Sequence, residues 1–175
     1  MYGYFLCYCI LSKVLTLESN TMDLAVFAHV SSVIWRHDEG MIKINADVAV
    51  SKVTSTIGTG AIARDANGSI LGILIKSYEG LTSPQLAEAM VVRNSMNLSV
   101  ALNVGRVLIE SDAESIVRSC SMSKDPPFDI AVFVQDCLTL KDSFQLCEFS
   151  FVKCDCNRAA HAYAKKAISC SLSDL

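Results

Sequence analysis

Lys43-Ile-Asn-Ala-Asp47-Val-Ala-Val50 is a short, β-branched, alternating segment, and its reading decides the fold. We read it as the first and central strand of a sheet. Its one acidic residue is Asp47. A carboxylate inside an otherwise apolar strand is costly unless something pairs with it, and a divalent cation shared with further carboxylates is one way to satisfy it. Two later segments supply candidates. Leu86-Ala-Glu88-Ala89 sets a carboxylate near the start of a long helical pattern, and Val107-Leu-Ile-Glu-Ser-Asp112 sets another at the end of a second apolar strand.

Outward from the central strand, the pattern is α/β. Residues 51–60 read as a Ser/Thr/Gly turn, followed by strand, turn and strand from Gly60 to Ile75, with Asn67-Gly68 tolerating positive φ between them. Ser83-Pro84 is a helix start, Ser as N-cap and Pro in the first helical position. Apolar positions from Leu86 to Met96 carry that helix to Leu102, where Asn103 supplies a left-handed cap. The apolar run Arg106 to Ser111 suits a parallel strand buried on both faces. Asp112 then falls at a strand-to-helix junction, where ligands of open α/β sheets bind. A loop with Pro126-Pro127 follows, and Ile130, Phe133, Val134, Cys137 and Leu138 share one helical face. Leu146 to Val152 alternates as a last strand, and Asn157 caps a final helix on which His161, Ala164, Lys165 and Ile168 share a side.

Composition bounds the function classes. The chain has 175 residues, 51% of them hydrophobic, ample for one buried core. Residues 1–40 are expected to be an N-terminal extension and linker, 41–170 the domain and 171–175 a tail. The apolar stretch Met1 to Leu17 is too short for a membrane span and lacks the flanks of a secretory signal, so an extra helix or a loosely attached extension is expected. A net charge of -3 gives no global attraction to polyanions, so a nucleic-acid surface has to be a local patch. Eight cysteines show no Cys-x-x-Cys pair, and reduced thiols in an intracellular monomer are the default. Cys137 and Cys147 read as core residues. Cys154, Cys156 and His161 form a sharper alternative, a zinc site that still wants its fourth ligand.

Five motifs in order, Lys43-Ile-Asn-x-Asp47, Gly60-Ala-Ile-Ala-Arg-Asp-Ala-Asn-Gly68, Ala87-Glu-Ala89, Ile109-Glu-Ser-Asp112 and Asn157-Arg-Ala-Ala-His-Ala-Tyr-Ala-Lys165, resemble the ribonuclease H domain family. The match is closest to its reverse-transcriptase-like, retroelement-derived plant members and covers Trp35 to Ala167. The resemblance implies a mixed five-stranded sheet of order 3-2-1-4-5 flanked by helices. It implies cleavage of the RNA strand of RNA:DNA hybrids with two Mg²⁺ ions, Asp47 bridging both and Glu88 and Asp112 joining it at one. His161 stands where a fourth Asp is usual, and imidazole suits Mn²⁺ better than Mg²⁺. Val48, Phe151 and Cys154 also depart from the family pattern. Selectivity for RNA would come from contacts to the 2′-OH, expected from backbone around Gly58 to Gly60 and from Glu88. The alternative is a catalytically impaired module that keeps the fold and binds nucleic acid or a protein partner.

Overall fold

A computed structural model describes residues 7–10, 40–80, 83–122 and 126–172. Its strands are β1 (Cys7–Ile10), β2 (Ile42–Ser51), β3 (Thr56–Arg64), β4 (Ile70–Glu79), β5 (Arg106–Ser111) and β6 (Leu146–Phe151). Its helices are α1 (Pro84–Ala101), α2 (Glu114–Met122), α3 (Ala131–Lys141) and α4 (Arg158–Leu172). The sheet order is β1-β4-β3-β2-β5-β6, with β2-β5 and β5-β6 parallel and the other pairs antiparallel. Without β1 this is the expected five-stranded order 3-2-1-4-5, with β2 at the centre.

β1 is the departure at the N-terminus. Where Met1 to Leu17 pointed to a helix or a loose extension, Cys7-Tyr-Cys-Ile10 pairs antiparallel with the outer side of β4. The backbone donors and acceptors of an edge strand stand ready for such an addition, and side-chain periodicity over four residues carries little signal against it. At the other end α4 runs to Leu172, into the stretch expected as a tail. Residues 21–34, whose pattern also allows a modest helix, lie outside the described residues.

The turn expected over 51–60 is shorter than its composition suggested. β3 begins at Thr56, and only residues 52–55 reverse the chain, with Ser55 at φ 50°. Gly58 and Gly60 are strand residues for a packing reason: a Cβ on Gly58 would collide with the carbonyl of Ala164, and one on Gly60 with the backbone of Ala160 and Ala164. Glycine here lets α4 lie directly on the sheet. In the β3-β4 turn, Asp65 Oδ1 accepts the N–H groups of Asn67 and Ser69, and Gly68 takes the positive φ.

The two faces of β2 divide the molecule. Ile44, Ala46 and Val48 point into the main core with Ile57, Leu74, Val91, Met96 and Ile109. On that side α1 packs on the sheet and against α3. Lys43, Asn45 and Asp47 point to the opposite face, which α4 covers over β2, β3 and β4. The helix caps form as read: Ser83 Oγ accepts the N–H of Leu86, and Asn103 adopts φ 53°. Cys120, Cys137 and Cys147 are free and buried.

Candidate metal centre

Three elements deliver the acidic side chains. Asp47 leaves the middle of β2, Glu88 lies in the second turn of α1, and Asp112 follows the last residue of β5, just before α2. One carboxylate oxygen from each lies within 4.8 Å of the others. The Ser83-Pro84 start sets where α1 begins, and so turns Glu88 toward the sheet end at which β2 and β5 run side by side.

The electrostatics are those of like charges crowded together. Burial, followed by the nearby Asp47 and Asp112 carboxylates, pushes Glu88 up to about 8 from the usual 4.5. Burial and then Asp112 raise Asp47 to about 6, although the Val48 N–H and His161 pull the other way. Glu88 Oε2 is buried with no hydrogen-bond partner. A buried carboxyl with one unpartnered oxygen, meeting two more carboxylates, is what a divalent cation with oxygen ligands fits.

Several neighbouring polar groups engage Asp47 and Asp112. Asp47 Oδ1 accepts the Val48 N–H at 2.7 Å, and Asp47 Oδ2 lies 3.0 Å from His161 Nδ1. The Cys154 thiol donates to Asp112 Oδ2 at 2.9 Å, and that carboxylate holds the thiol above its ordinary pKa. Asn157 Nδ2 donates to the Ala46 carbonyl at 2.7 Å and reaches Asp112 Oδ1 at 3.5 Å. The trio opens into a cleft of about 520 Å³ whose rim includes Arg158 and Lys165 of α4, both exposed. These two cations flank His161 on the helix side that faces the carboxylates.

Asp47, Glu88 and Asp112 thus converge, and His161 joins them through Asp47. The zinc arrangement does not assemble. Cys154 and Cys156 are exposed in a 3-10 turn, Cys154 turns to Asp112, and the acidic trio is the one cluster of three or more His, Cys, Asp or Glu donors among the described residues. The backbone of Gly58 and Gly60 is not available to a 2′-OH either. β3 is paired on both sides and its face there is covered by α4.

Asn157 is the site residue that pattern reading saw only as a helix cap. It holds the cap position of α4 and accepts the His161 N–H through its backbone carbonyl, but its side chain turns inward to β2 and Asp112. The 3-10 turn Cys154–Cys156 ahead of it sets that direction. A polar residue before a helix carries no sequence signal for which way it faces.

Comparison with known proteins agrees with this geometry. A family model described as reverse transcriptase-like matches residues 45–167. No curated protein matches the chain. Among solved structures, the N-terminal RNase H domain of a Mycobacterium tuberculosis protein superposes with TM-score 0.69 at 18% identity, over 78% of this chain and 99% of that one. RNase H1 of Halobacterium salinarum gives 0.64 at 16% identity, over 74% and 98%. An RNase H1 isolated from compost, LC11-RNase H1, in complex with an RNA/DNA hybrid, gives 0.63 at 19% identity, over 75% and 99%. At these identities the likeness is one of fold.

Proposed function

Because the chain belongs to the reverse transcriptase-like family and builds a ribonuclease H-like fold around a buried acidic trio, we propose that it is a metal-dependent endonuclease. Its substrate is the RNA strand of RNA:DNA hybrids. The observation that carries this reading is the convergence of Asp47, Glu88 and Asp112 from three separate elements to within 4.8 Å. The hybrid bound to one of the similar structures supports the substrate class. Residues 41–170 form the nuclease unit and residues 1–40 an extension to it.

The catalytic residues are Asp47, Glu88 and Asp112, which hold the divalent cations, with His161 as a fourth ligand or as an outer group acting through Asp47. When bound, Mg²⁺, two ions by the family resemblance, or Mn²⁺ activates the attacking water and stabilises the leaving 3′ oxygen of an in-line displacement at phosphorus. Glu88 gives up its proton as the site is loaded. Asp47, central and 5% exposed, is held in one orientation by the Val48 N–H and His161. Arg158 and Lys165 at the rim face the backbone phosphates, offsetting the repulsion that a cleft of carboxylates exerts on a polyanion.

Purified protein is expected to cut an end-labelled RNA:DNA hybrid in Mg²⁺ or Mn²⁺, and Asp47→Asn to abolish the cut. A folded protein inactive in both metals would reject the reading. One observation favours a second reading, the impaired binding module: His161 and Cys154 already occupy Oδ2 of Asp47 and of Asp112. That module would bind hybrid equally well with and without Asp47→Asn.

A further inference from the structure

We infer that Asn157 is a positioning residue of the metal centre, the clamp that sets the separation between Asp47 and Asp112. This rests on the metal-dependent reading above. Asn157 is buried, 1% exposed, and joins three parts of the site at once, two through its side chain and one through its backbone. Its Nδ2 holds the carbonyl of Ala46, the residue directly before Asp47 on β2, and reaches Asp112 Oδ1 beyond the end of β5. Its backbone carbonyl receives the His161 N–H at 3.1 Å, so the same residue anchors the first turn of the helix that sets His161 against Asp47.

Other placements of this side chain serve the fold less specifically. An asparagine that only capped α4 would offer Oδ1 to the first N–H groups of the helix. Here Oδ1 is buried without a hydrogen-bond partner, and the amide is turned so that its donor end faces β2 and Asp112. Leaving a buried acceptor unpaired costs stability. The orientation is set by what Nδ2 holds. A donor on Asp112 Oδ1 also fixes the plane of that carboxylate, as outer-shell hydrogen bonds do for metal ligands.

The test measures metal binding without substrate. Calorimetric titration of the full chain with MnCl₂ is compared for wild type, Asn157→Ala, Asp112→Asn and the double variant, with the melting of each followed by circular dichroism. Asn157→Ala is expected to melt cooperatively and to bind Mn²⁺ about ten- to a hundredfold more weakly. In the Asp112→Asn background the same change is expected to add little, because both act on one carboxylate. Asn157→Ser, still able to cap the helix but too short to span Ala46 and Asp112, serves where alanine unfolds the chain, and the same results decide. Unchanged Mn²⁺ affinity in a folded Asn157 variant, or full additivity with Asp112→Asn, overturns the inference. Wild type that binds Mn²⁺ but leaves a hybrid intact sinks the nuclease reading alone, whereas wild type that binds no Mn²⁺ removes both.

Discussion

Two polar clusters lie on the same face of β2, two residues apart, and they are built on opposite electrostatic plans. Around Lys43 and Asn45, the ammonium group lies 2.9 Å from Glu110 Oε1, Asn45 donates to Glu110 Oε2 at 2.8 Å, and Arg64 donates to Asn45 Oδ1 at 2.9 Å. Signs alternate through that network. Burial lowers Arg64 to about 10, and Glu110 opposes the shift. Around Asp47 the crowded groups are all carboxyls, Glu88 is pushed up to about 8, and one of its oxygens has no hydrogen bond. The first cluster resolves its charges within the protein. The second relieves its crowding with a proton on Glu88 and offers one oxygen from each carboxyl to a divalent cation, and that difference separates a structural network from a candidate site.

The comparison breaks most severely at Asp47. Asp47→Asn should lower hybrid cleavage by about a thousandfold or more, roughly 4 kcal/mol of barrier, while leaving the metal-free protein folded. Single-turnover cleavage beside a thermal melt checks both halves.

The opposite outcome is expected four residues earlier. Lys43→Met removes the ion-pair partner of the Glu110 carboxylate, whose side chain is 12% exposed, and should destabilise the fold by about 2–4 kcal/mol with Mn²⁺ affinity unchanged. Chemical denaturation and calorimetry together show whether the two clusters are independent.

Glu88 sharpens the contrast through pH. Its pKa in the folded, metal-free chain is about 8 against an ordinary 4.5, so its contribution to stability is whole below 4.5 and is lost as pH rises toward 8. Asp47 loses its share between 3.8 and about 6 by the same sign. Glu88→Gln should therefore stabilise the metal-free protein at pH 8 by about 1–3 kcal/mol, residual solvent access at the open cleft keeping the gain to that size. The gain should shrink toward pH 5, as denaturation at the two pH values would read. Cation binding runs the other way, since it needs the ionised form: Mn²⁺ affinity should rise about tenfold from pH 6 to 8 in wild type and stay flatter in Glu88→Gln. A flat wild-type profile would contradict the crowded-carboxylate picture.

The smallest effect belongs to the rim. Arg158→Ala and Lys165→Ala should each weaken hybrid binding several-fold and reduce its salt dependence by about one counterion. A filter-binding series from low to moderate salt measures the slope.

Much of the fold was legible in the residues. Alternation in Lys43 to Val50 marked the central strand, the apolar run to Ser111 its parallel neighbour, and Ser83-Pro84 and Asn103 bracketed α1 where the structure has it. The misreadings share a cause. Residues 56–60 looked like a turn because Gly58 and Gly60 are turn-formers by composition, but their glycines answer to α4, which crosses them from a hundred residues away. β1 was hidden because a four-residue edge strand is chosen by the free edge of β4 and not by its own periodicity. Asn157 was readable as a cap by position, while its inward turn was not.

Local propensity and periodicity act over a few residues, so the chain by itself determined the elements, their order and the chemical type of Asp47, Glu88 and Asp112. Whether three carboxylates spread over more than sixty residues of chain meet, which of them stays protonated, and which side chains hold them are matters of distance and burial. Those were decided only when β2, α1, β5 and α4 packed at one end of the sheet, because electrostatic shifts depend on ångströms between charges and on the water that packing removes.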